Sequence, residues 1–152
     1  MRPADRSMCS DIKDLDEKLA SSKDVVVINP PYIEAGKSIE SGNPMQDAAR
    51  RETSAGLDDF LKASHMLLKR HGDLFMIHRP YRLTDILSCA RERGIEPKEL
   101  MMVSPCEGKA PNLVLIHMIK GGGKEMRMLP ELHIYNSSGD YTSELLKLYE
   151  KI

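Results

Sequence analysis

The hydrophobic pattern of the chain begins with one clear strand, at residues 24–28 (DVVVI). Its four β-branched residues do not alternate with polar ones, which predicts burial on both faces, as in a parallel sheet covered by helices. Pro30 and Pro31 follow after one residue, and proline cannot donate to a strand ladder, so the strand ends there. Further apolar runs of strand length occupy residues 74–77, 100–103 and 113–119.

Helical spacing separates these runs. Residues 57–68 carry apolar positions on one face, and the glycine at position 72 is expected to end that helix. Pro80 opens a second helix, which Gly94 ends, and a short third helix is predicted from about residue 142 to 149. Strands that alternate with helices indicate an α/β fold.

Between the first strand and the first helix, residues 33–53 form a polar stretch without periodicity. A loop of this length inside a compact domain is usually functional or disordered. Because it follows the first strand directly, we interpret it as a long loop on the substrate side.

Length and charge narrow the function classes. The 152 residues fit one domain, and 22 basic against 23 acidic residues give a net charge of −1. This balance excludes nucleic-acid binding driven by a large excess of positive charge, although a local basic face remains compatible with it. There is no apolar run of about 18 residues for a membrane span and no apolar core of a signal peptide at the N-terminus.

The cysteine and histidine positions do not indicate a metal centre. Cys9, Cys89 and Cys106 are an odd number without a C-x-x-C pair, so neither a disulfide framework nor a zinc site is expected. The histidines show no metal-ligand spacing. Free thiols and the absence of a leader pattern predict a cytoplasmic protein.

The tetrapeptide Asn29-Pro30-Pro31-Tyr32 carries the chemistry. It follows the carboxyl end of a strand, where open α/β sheets bind ligands. The Asn29 side-chain oxygen and the Pro30 carbonyl can each accept a hydrogen bond from an exocyclic amine, and Tyr32 offers a ring on which a base can stack. A proline-rich turn with no catalytic role is the alternative interpretation.

Other segments extend the match. The motif is similar to the fourth motif of amino-methylating, S-adenosylmethionine-dependent methyltransferases, and the chain from about residue 9 onward resembles the bacterial tRNA(Val) adenine-N6 methyltransferase family. The matching segments are residues 24–32 (DVVVINPPY), 49–52 (ARRE), 78–83 (HRPYRL), 95–100 (IEPKEL), 110–116 (APNLVLI) and 139–142 (GDYT). The resemblance implies S-adenosylmethionine as donor and the N6 amino group of an adenosine beside the anticodon of a tRNA as acceptor.

The chain also departs from that family. The glycine-rich loop that holds the donor is absent, and Gly121–Gly123 follow a late strand. Asp11 matches the family position that contacts the donor adenine, with a solvated acid as the alternative. The resemblance therefore implies a Rossmann-like class I methyltransferase fold truncated at its N-terminus, with the fourth to seventh strands of the usual seven and the last of them antiparallel. On this interpretation residues 1–152 form a single partial domain.

Four further residues are candidates for contacts with RNA. Arg50 and Arg51 lie in the long loop and could contact phosphate, or could simply be solvated. His78 and Arg79 follow a strand at the same sheet edge as the motif, where they could contact RNA or the donor side of the cleft. The alternative for His78 and Arg79 is a structural role in capping the start of the next helix.

Two other functions remain open. Glutamine methylation on release factors is one, because that family also carries Asn-Pro-Pro-Tyr-Ile, but its Glu-Pro and Gly-Gly signature is missing between Glu34 and Leu57. A non-catalytic, RNA-binding or vestigial fragment is the other. In the sheet order that the resemblance implies, residues 24–28 would form an edge strand with four uncharged β-branched residues, so self-association through it is expected.

Overall fold

The structure, a computed structural model, describes residues 11–31 and 56–150, and within them six strands and three α-helices. The elements are β1 Lys23–Ile28, α1 Leu57–Leu67, β2 Leu68–His78, α2 Leu83–Glu92, β3 Ile95–Cys106, β4 Leu113–Lys120, β5 Arg127–Met128, β6 Leu132–Tyr135 and α3 Ser143–Tyr149. Three short 3-10 turns, Ile12–Asp14, Glu17–Leu19 and Pro80–Arg82, complete them. The predicted α/β class is confirmed.

The strands form one sheet in the order β1-β2-β4-β3-β5, and β6 also pairs with β3. β1 runs parallel to β2, whereas β4 is antiparallel to both of its neighbours, β2 and β3. β5 and β6 pair with β3 in parallel. The last long strand is therefore antiparallel, as expected, and lies between two strands that precede it in the chain.

One face of the sheet carries α1 and α2 and contains the main core. Leu61 of α1 and Ile86 of α2 are fully buried against strand residues such as Leu74 and Ile116. Each of these side chains contributes about 1.5–3 kcal/mol by leaving water. The core thus fixes the helices on this face and holds the middle of the sheet rigid.

The opposite face is largely uncovered. We call it the open face and define it by Val25, Val27, Phe75 and Leu115, which are exposed in the described chain, Val27 to 75%. Only at the β3–β6 side does α3 cover it, where Leu145 packs against Val103 and Leu132. The prediction that β1 is buried on both faces is wrong for this face, because the described helices pack against β1 from one side alone.

The start of β2 also differs from the sequence prediction. The strand begins at Leu68, directly after α1, so Gly72 lies inside the strand and does not end the helix. The register between β1 and β2 shifts here, and His71 adopts a positive φ of 62°. A Cβ atom at Gly72 would lie 3.0 Å from the carbonyl oxygen of Asp24, so the two strands approach each other too closely for a side chain.

Other expectations are confirmed. Pro80 begins a turn that leads into α2, and Gly94 follows α2 with φ +70°, a conformation that favours glycine. Thr142 caps α3, its hydroxyl accepting from the Leu145 amide at 3.3 Å.

Among the helices of the described residues, none has the length and apolar character that crossing a membrane would require.

Candidate functional site

The carboxyl ends of four parallel strands meet at one edge of the sheet, which we call the carboxyl edge. β1, β2, β3 and β6 all run in the same direction, so Asn29, His78, Cys106 and Tyr135 lie along this edge. β4 runs the opposite way, so its first residue, Leu113, reaches the same edge. The candidate residues after β1 and β2 are therefore brought to one side of the molecule, as the sequence predicts.

At the end of β1, burial alternates sharply from residue to residue. Asn29 is exposed, Pro30 is fully buried and Pro31 is exposed. A buried proline has a fixed φ and cannot shift easily, so Pro30 anchors the chain beside Asn29. The sequence thus places the Asn29 amide at the surface of the edge on a firmly held backbone.

Several predicted site residues fall outside the described residues. These are Tyr32, Arg50 and Arg51, together with the loop over residues 33–53. Their proposed contacts with a base or with phosphate stay predictions.

His78 and Arg79 follow β2 but face different surroundings. His78 is only 2% exposed, and its Nδ1 accepts a hydrogen bond from the Arg79 amide at 2.8 Å. Burial, with the nearby Arg82 and Arg79 charges, lowers the pKa of His78, so it is neutral near pH 7. This geometry favours the helix-start role for His78. Arg79 is half-buried, and its guanidinium donates to the Asn112 carbonyl at 3.0 Å, which joins the loops before α2 and β4.

The lowered pKa of His78 predicts a loss of stability in acid. Because the unfolded chain binds the proton more tightly than the folded one, the free energy of unfolding decreases as pH falls below about 6.5. His78→Asn keeps an acceptor near the Nδ1 position and cannot titrate. We expect urea unfolding between pH 7.5 and pH 5 to show a smaller pH dependence in this variant.

His65, whose pKa burial also lowers, titrates in both proteins, so the difference between the two proteins isolates His78. An equal pH dependence would show that His78 is not the group that senses acid.

Asp11 lies at the start of the first 3-10 turn. Its carboxylate accepts from the Lys13 amide at 2.9 Å, and the turn packs against α1, where Lys13 lies 3.8 Å from the Asp59 carboxylate. These contacts give Asp11 a local capping role. Its contact with a donor adenine stays a prediction.

The glycine run lies at the opposite edge of the sheet. Gly121 follows β4, which ends at the amino side, and its amide donates to the Gly94 carbonyl at 2.8 Å, just before β3. Gly121–Gly123 are thus separated from Asn29 by the length of the strands. They cannot cradle a ligand at the carboxyl edge, in agreement with the sequence prediction.

A polar cluster on the sheet was missed by the sequence analysis. The His117 ring lies between two carboxylates, with Nε2 2.7 Å from Asp73 and Nδ1 3.4 Å from Glu99. The Phe75 ring stacks on it at 4.6 Å, and Arg127 pairs with Glu99 and lowers the pKa of that carboxyl. The cluster depends on strand register, since Phe75 and Glu99 are the neighbours of His117 on β2 and β3, and no local pattern reveals it.

The cluster borders a shallow apolar groove of about 420 Å³. Val27, Phe75, Met101, Leu115 and Leu129 line it, together with Asn29. His117 is four residues from the start of β4, about 13 Å from the carboxyl edge, so the cluster and Asn29 cannot act on the same atom.

A metal site and a reactive thiol at Cys89 find no support among the described residues. No group of three or more histidine, cysteine, aspartate or glutamate side chains there could hold a metal ion. Burial and the neighbouring Asp58 raise the pKa of Cys89, so its thiol is protonated and unreactive near neutral pH.

Comparison with known proteins agrees with the resemblance. No family model matches the chain. The tRNA1(Val) (adenine(37)-N6)-methyltransferase of Aeromonas hydrophila is 28% identical over 131 residues, which are 85% of this chain and 53% of that protein. The expected relationship is thus confirmed as a distant one, and the chain spans about half the length of this curated relative.

Solved structures confirm the fold. A predicted O-methyltransferase from Agrobacterium tumefaciens superposes with a TM-score of 0.65 at 18% identity, covering 86% of this chain and 52% of that one. A protein of Thermus thermophilus described as a DNA modification methylase, crystallised with S-adenosyl-L-methionine, gives 0.50 at 16% identity, covering 83% and 64%. The chain has a Rossmann-like class I methyltransferase fold, which it matches over part of the length of these structures.

Proposed function

We propose that the chain carries the acceptor-binding half of an S-adenosylmethionine-dependent methyltransferase that modifies the N6 amino group of adenosine in tRNA. The observation that carries the proposal is the exposed Asn29 beside the buried Pro30, at the carboxyl end of a strand in a methyltransferase fold. The distant relative that acts on a tRNA adenine supports the choice of base and of RNA.

The chemistry of the proposed site follows from two acceptors. The Asn29 side-chain oxygen and the Pro30 carbonyl each accept one hydrogen of the N6 amino group, while Tyr32 stacks on the adenine. With both hydrogens held, the nitrogen lone pair points away from the acceptors, toward the side from which an electrophilic methyl carbon can approach. S-adenosylmethionine would supply the methyl group and leave as S-adenosylhomocysteine, because its methyl–sulfur bond would break as the N–C bond forms. The surplus proton would then pass to water, so no residue of this site has to act as a general base.

The donor side is incomplete in the described chain. Backbone amides of a glycine-rich turn at a helix start usually approach such a ligand, and the only glycine run lies at the wrong edge of the sheet. One carboxylate oxygen of Asp11 already accepts a hydrogen bond from the Lys13 amide. The described residues therefore fit the acceptor better than the donor.

Because the described residues lack a donor cradle at the carboxyl edge, we predict that the chain binds S-adenosylmethionine weakly. We expect isothermal titration calorimetry of the 152-residue chain with S-adenosylmethionine to show a dissociation constant well above the micromolar range, or no heat at all. S-adenosylhomocysteine, titrated in parallel, serves as a control for the sulfonium charge. A micromolar constant would contradict the expectation and show that other residues of the chain build a donor site.

Methyl transfer tests the function itself. The chain is incubated with labelled S-adenosylmethionine at millimolar concentration, to offset weak binding, and with unmodified tRNA, single-stranded DNA or a release-factor peptide. We expect label in tRNA alone, and N6-methyladenosine as the modified nucleoside after digestion. Label in the peptide and not in tRNA would favour glutamine methylation, and label in DNA and not in tRNA would reject tRNA as the substrate.

A non-catalytic RNA-binding role is the second candidate. The placement of Gly121–Gly123 away from Asn29 favours it, because the described chain then has an acceptor site without a donor cradle. Binding of tRNA without any methyl transfer at millimolar donor would support this candidate over the first.

A further inference from the structure

We infer that Tyr135 and Tyr141 form a stacking platform for a nucleobase of single-stranded RNA, at the far end of the carboxyl edge from Asn29. The inference deepens the proposed function and rests on it, since it concerns how the same RNA is held. It assigns a second contact point, which would bind a nucleotide several positions away from the modified one in the same strand.

The two rings already form a stack. Their centroids lie 5.4 Å apart with an interplanar angle of 16°, and Tyr135 is 42% and Tyr141 53% exposed. Two nearly parallel rings have parallel outer surfaces, so a base can continue the stack with little rearrangement. Stacking between a base and an aromatic side chain tolerates any sequence, because every base has a π face.

The backbone holds this pair firmly. Tyr135 is the last residue of β6 and bridges Tyr141, and the Asn136 side chain accepts from the amides of Ser138 and Asp140 in the turn between them. Thr142, directly after the second ring, donates its hydroxyl to the His133 carbonyl at 2.7 Å. A rigid aromatic pair loses little conformational entropy when a ligand binds.

The position of the pair suits a single-stranded segment of RNA whose bases are stacked. β1 and β6 are separated by four inter-strand spacings of about 4.8 Å, so Asn29 and Tyr135 lie about 19 Å apart along the edge. At about 3.4 Å per stacked nucleotide, this distance corresponds to five or six nucleotides. A base at Asn29 and a base at Tyr141 can therefore belong to one short single-stranded segment.

One exposed aromatic side chain and three basic side chains also lie between these ends. Tyr81, after β2, is 68% exposed, and Arg79 and Arg82 flank it in the chain, where they also bond the Asn112 carbonyl and the Asp85 carboxylate. Lys109 is exposed in the loop after β3. Rings that stack bases, interspersed with cations that contact phosphates, are the usual composition of a single-strand binding groove.

The test measures binding of fluorescein-labelled, single-stranded oligoribonucleotides by anisotropy at low salt. Tyr141→Ala is expected to weaken binding of a 12-mer by about 5- to 150-fold, the effect of losing one base–aromatic stack. Tyr141→Phe keeps the ring and should stay within twofold of the wild-type chain. Tyr149→Ala is the matched control, because Tyr149 is 66% exposed but lies at the end of α3, away from the edge.

Oligonucleotide length sharpens the test. A 3-mer cannot span about 19 Å, so Tyr141→Ala should reduce the gain in affinity between a 3-mer and a 7-mer, whereas Tyr149→Ala should not. Thermal melts establish that each variant is folded. If Tyr141→Ala unfolds at a lower temperature than the wild-type chain, Tyr135→Ala removes the other ring of the platform and is tested in its place.

The outcomes separate this inference from the proposed function. Equal affinity of the wild-type chain and Tyr141→Ala for the 12-mer, or no RNA binding at all, overturns the platform. If methyl transfer to tRNA occurs while Tyr141→Ala and Tyr135→Ala bind RNA as tightly as the wild-type chain, only the platform fails. If binding depends on Tyr141 but no transfer is seen, the platform stands and the methyltransferase proposal fails.

Discussion

Asn29→Ala is expected to reduce methyl transfer to tRNA by at least about a hundredfold, the usual effect of removing one preorganised hydrogen-bonding group from a reacting centre. The exposed amide loses its acceptor oxygen, so the N6 amino group is no longer held with its lone pair directed outward. The variant should leave the fold unchanged, because Asn29 is exposed and the buried Pro30 anchors the chain beside it. Nucleoside mass spectrometry of the product measures the effect.

Three matched variants make this result specific. Asn29→Leu has a similar volume without an acceptor and should be as inactive as Asn29→Ala. Asn29→Asp keeps an acceptor oxygen and should retain more activity than either. Asn112→Ala changes another exposed asparagine on the same edge, whose backbone carbonyl but not side chain is bonded to Arg79, and should be fully active. Activity in Asn29→Leu equal to that of the wild-type chain would exclude the acceptor role.

The parts of the fold that the sequence predicts are those set by local patterns. Pro80 begins the turn that leads into α2 because its φ is fixed, and Gly94 follows α2 because glycine tolerates a positive φ. The apolar run at residues 113–119 becomes β4 because it has the length and composition of a buried strand. Asn29 lies at the carboxyl edge because the two prolines that follow it end the strand there. These features need only neighbouring residues to be recognised.

Features that depend on distant pairing escape the sequence analysis. β2 begins at Leu68, six residues before its apolar run, because pairing with β1 extends a polar segment into a strand. The short strands β5 and β6 form only because the edge of β3 offers them hydrogen-bonding partners. The same is true of the Tyr135–Tyr141 stack, whose two members are joined by a bridge across a turn.

Burial is the property that the sequence predicts least well for β1. A run of β-branched residues indicates two covered faces, yet Val25 and Val27 are exposed while Val26 and Ile28 pack against the core. The β-branched run shows that β1 is suited to burial on both of its faces. The described chain covers β1 on one side only, which leaves an apolar surface that can associate.

We therefore expect the 152-residue chain to form a dimer or a larger assembly through β1 and the open face. Within the described residues β1 pairs only with β2, so its other edge has backbone amides and carbonyls that can pair with a second copy. The adjoining apolar residues, exposed Val27 and Phe75 among them, favour burial against the same partner. Light scattering at low micromolar concentration should give at least twice the monomer mass of 17.1 kDa.

Val27→Lys tests this interface, because it puts a charge on the open face beside the free edge. Losing a buried valine costs about 1.5–3 kcal/mol, and a symmetric dimer loses it twice, so the dissociation constant should rise by at least about a hundredfold. Leu146→Lys is the control, since Leu146 is also exposed but lies on α3 at the β3–β6 end of the sheet, far from β1. A wild-type chain that is a monodisperse monomer with a cooperative melt would contradict the prediction, because the edge and the open face must then be covered within the chain itself.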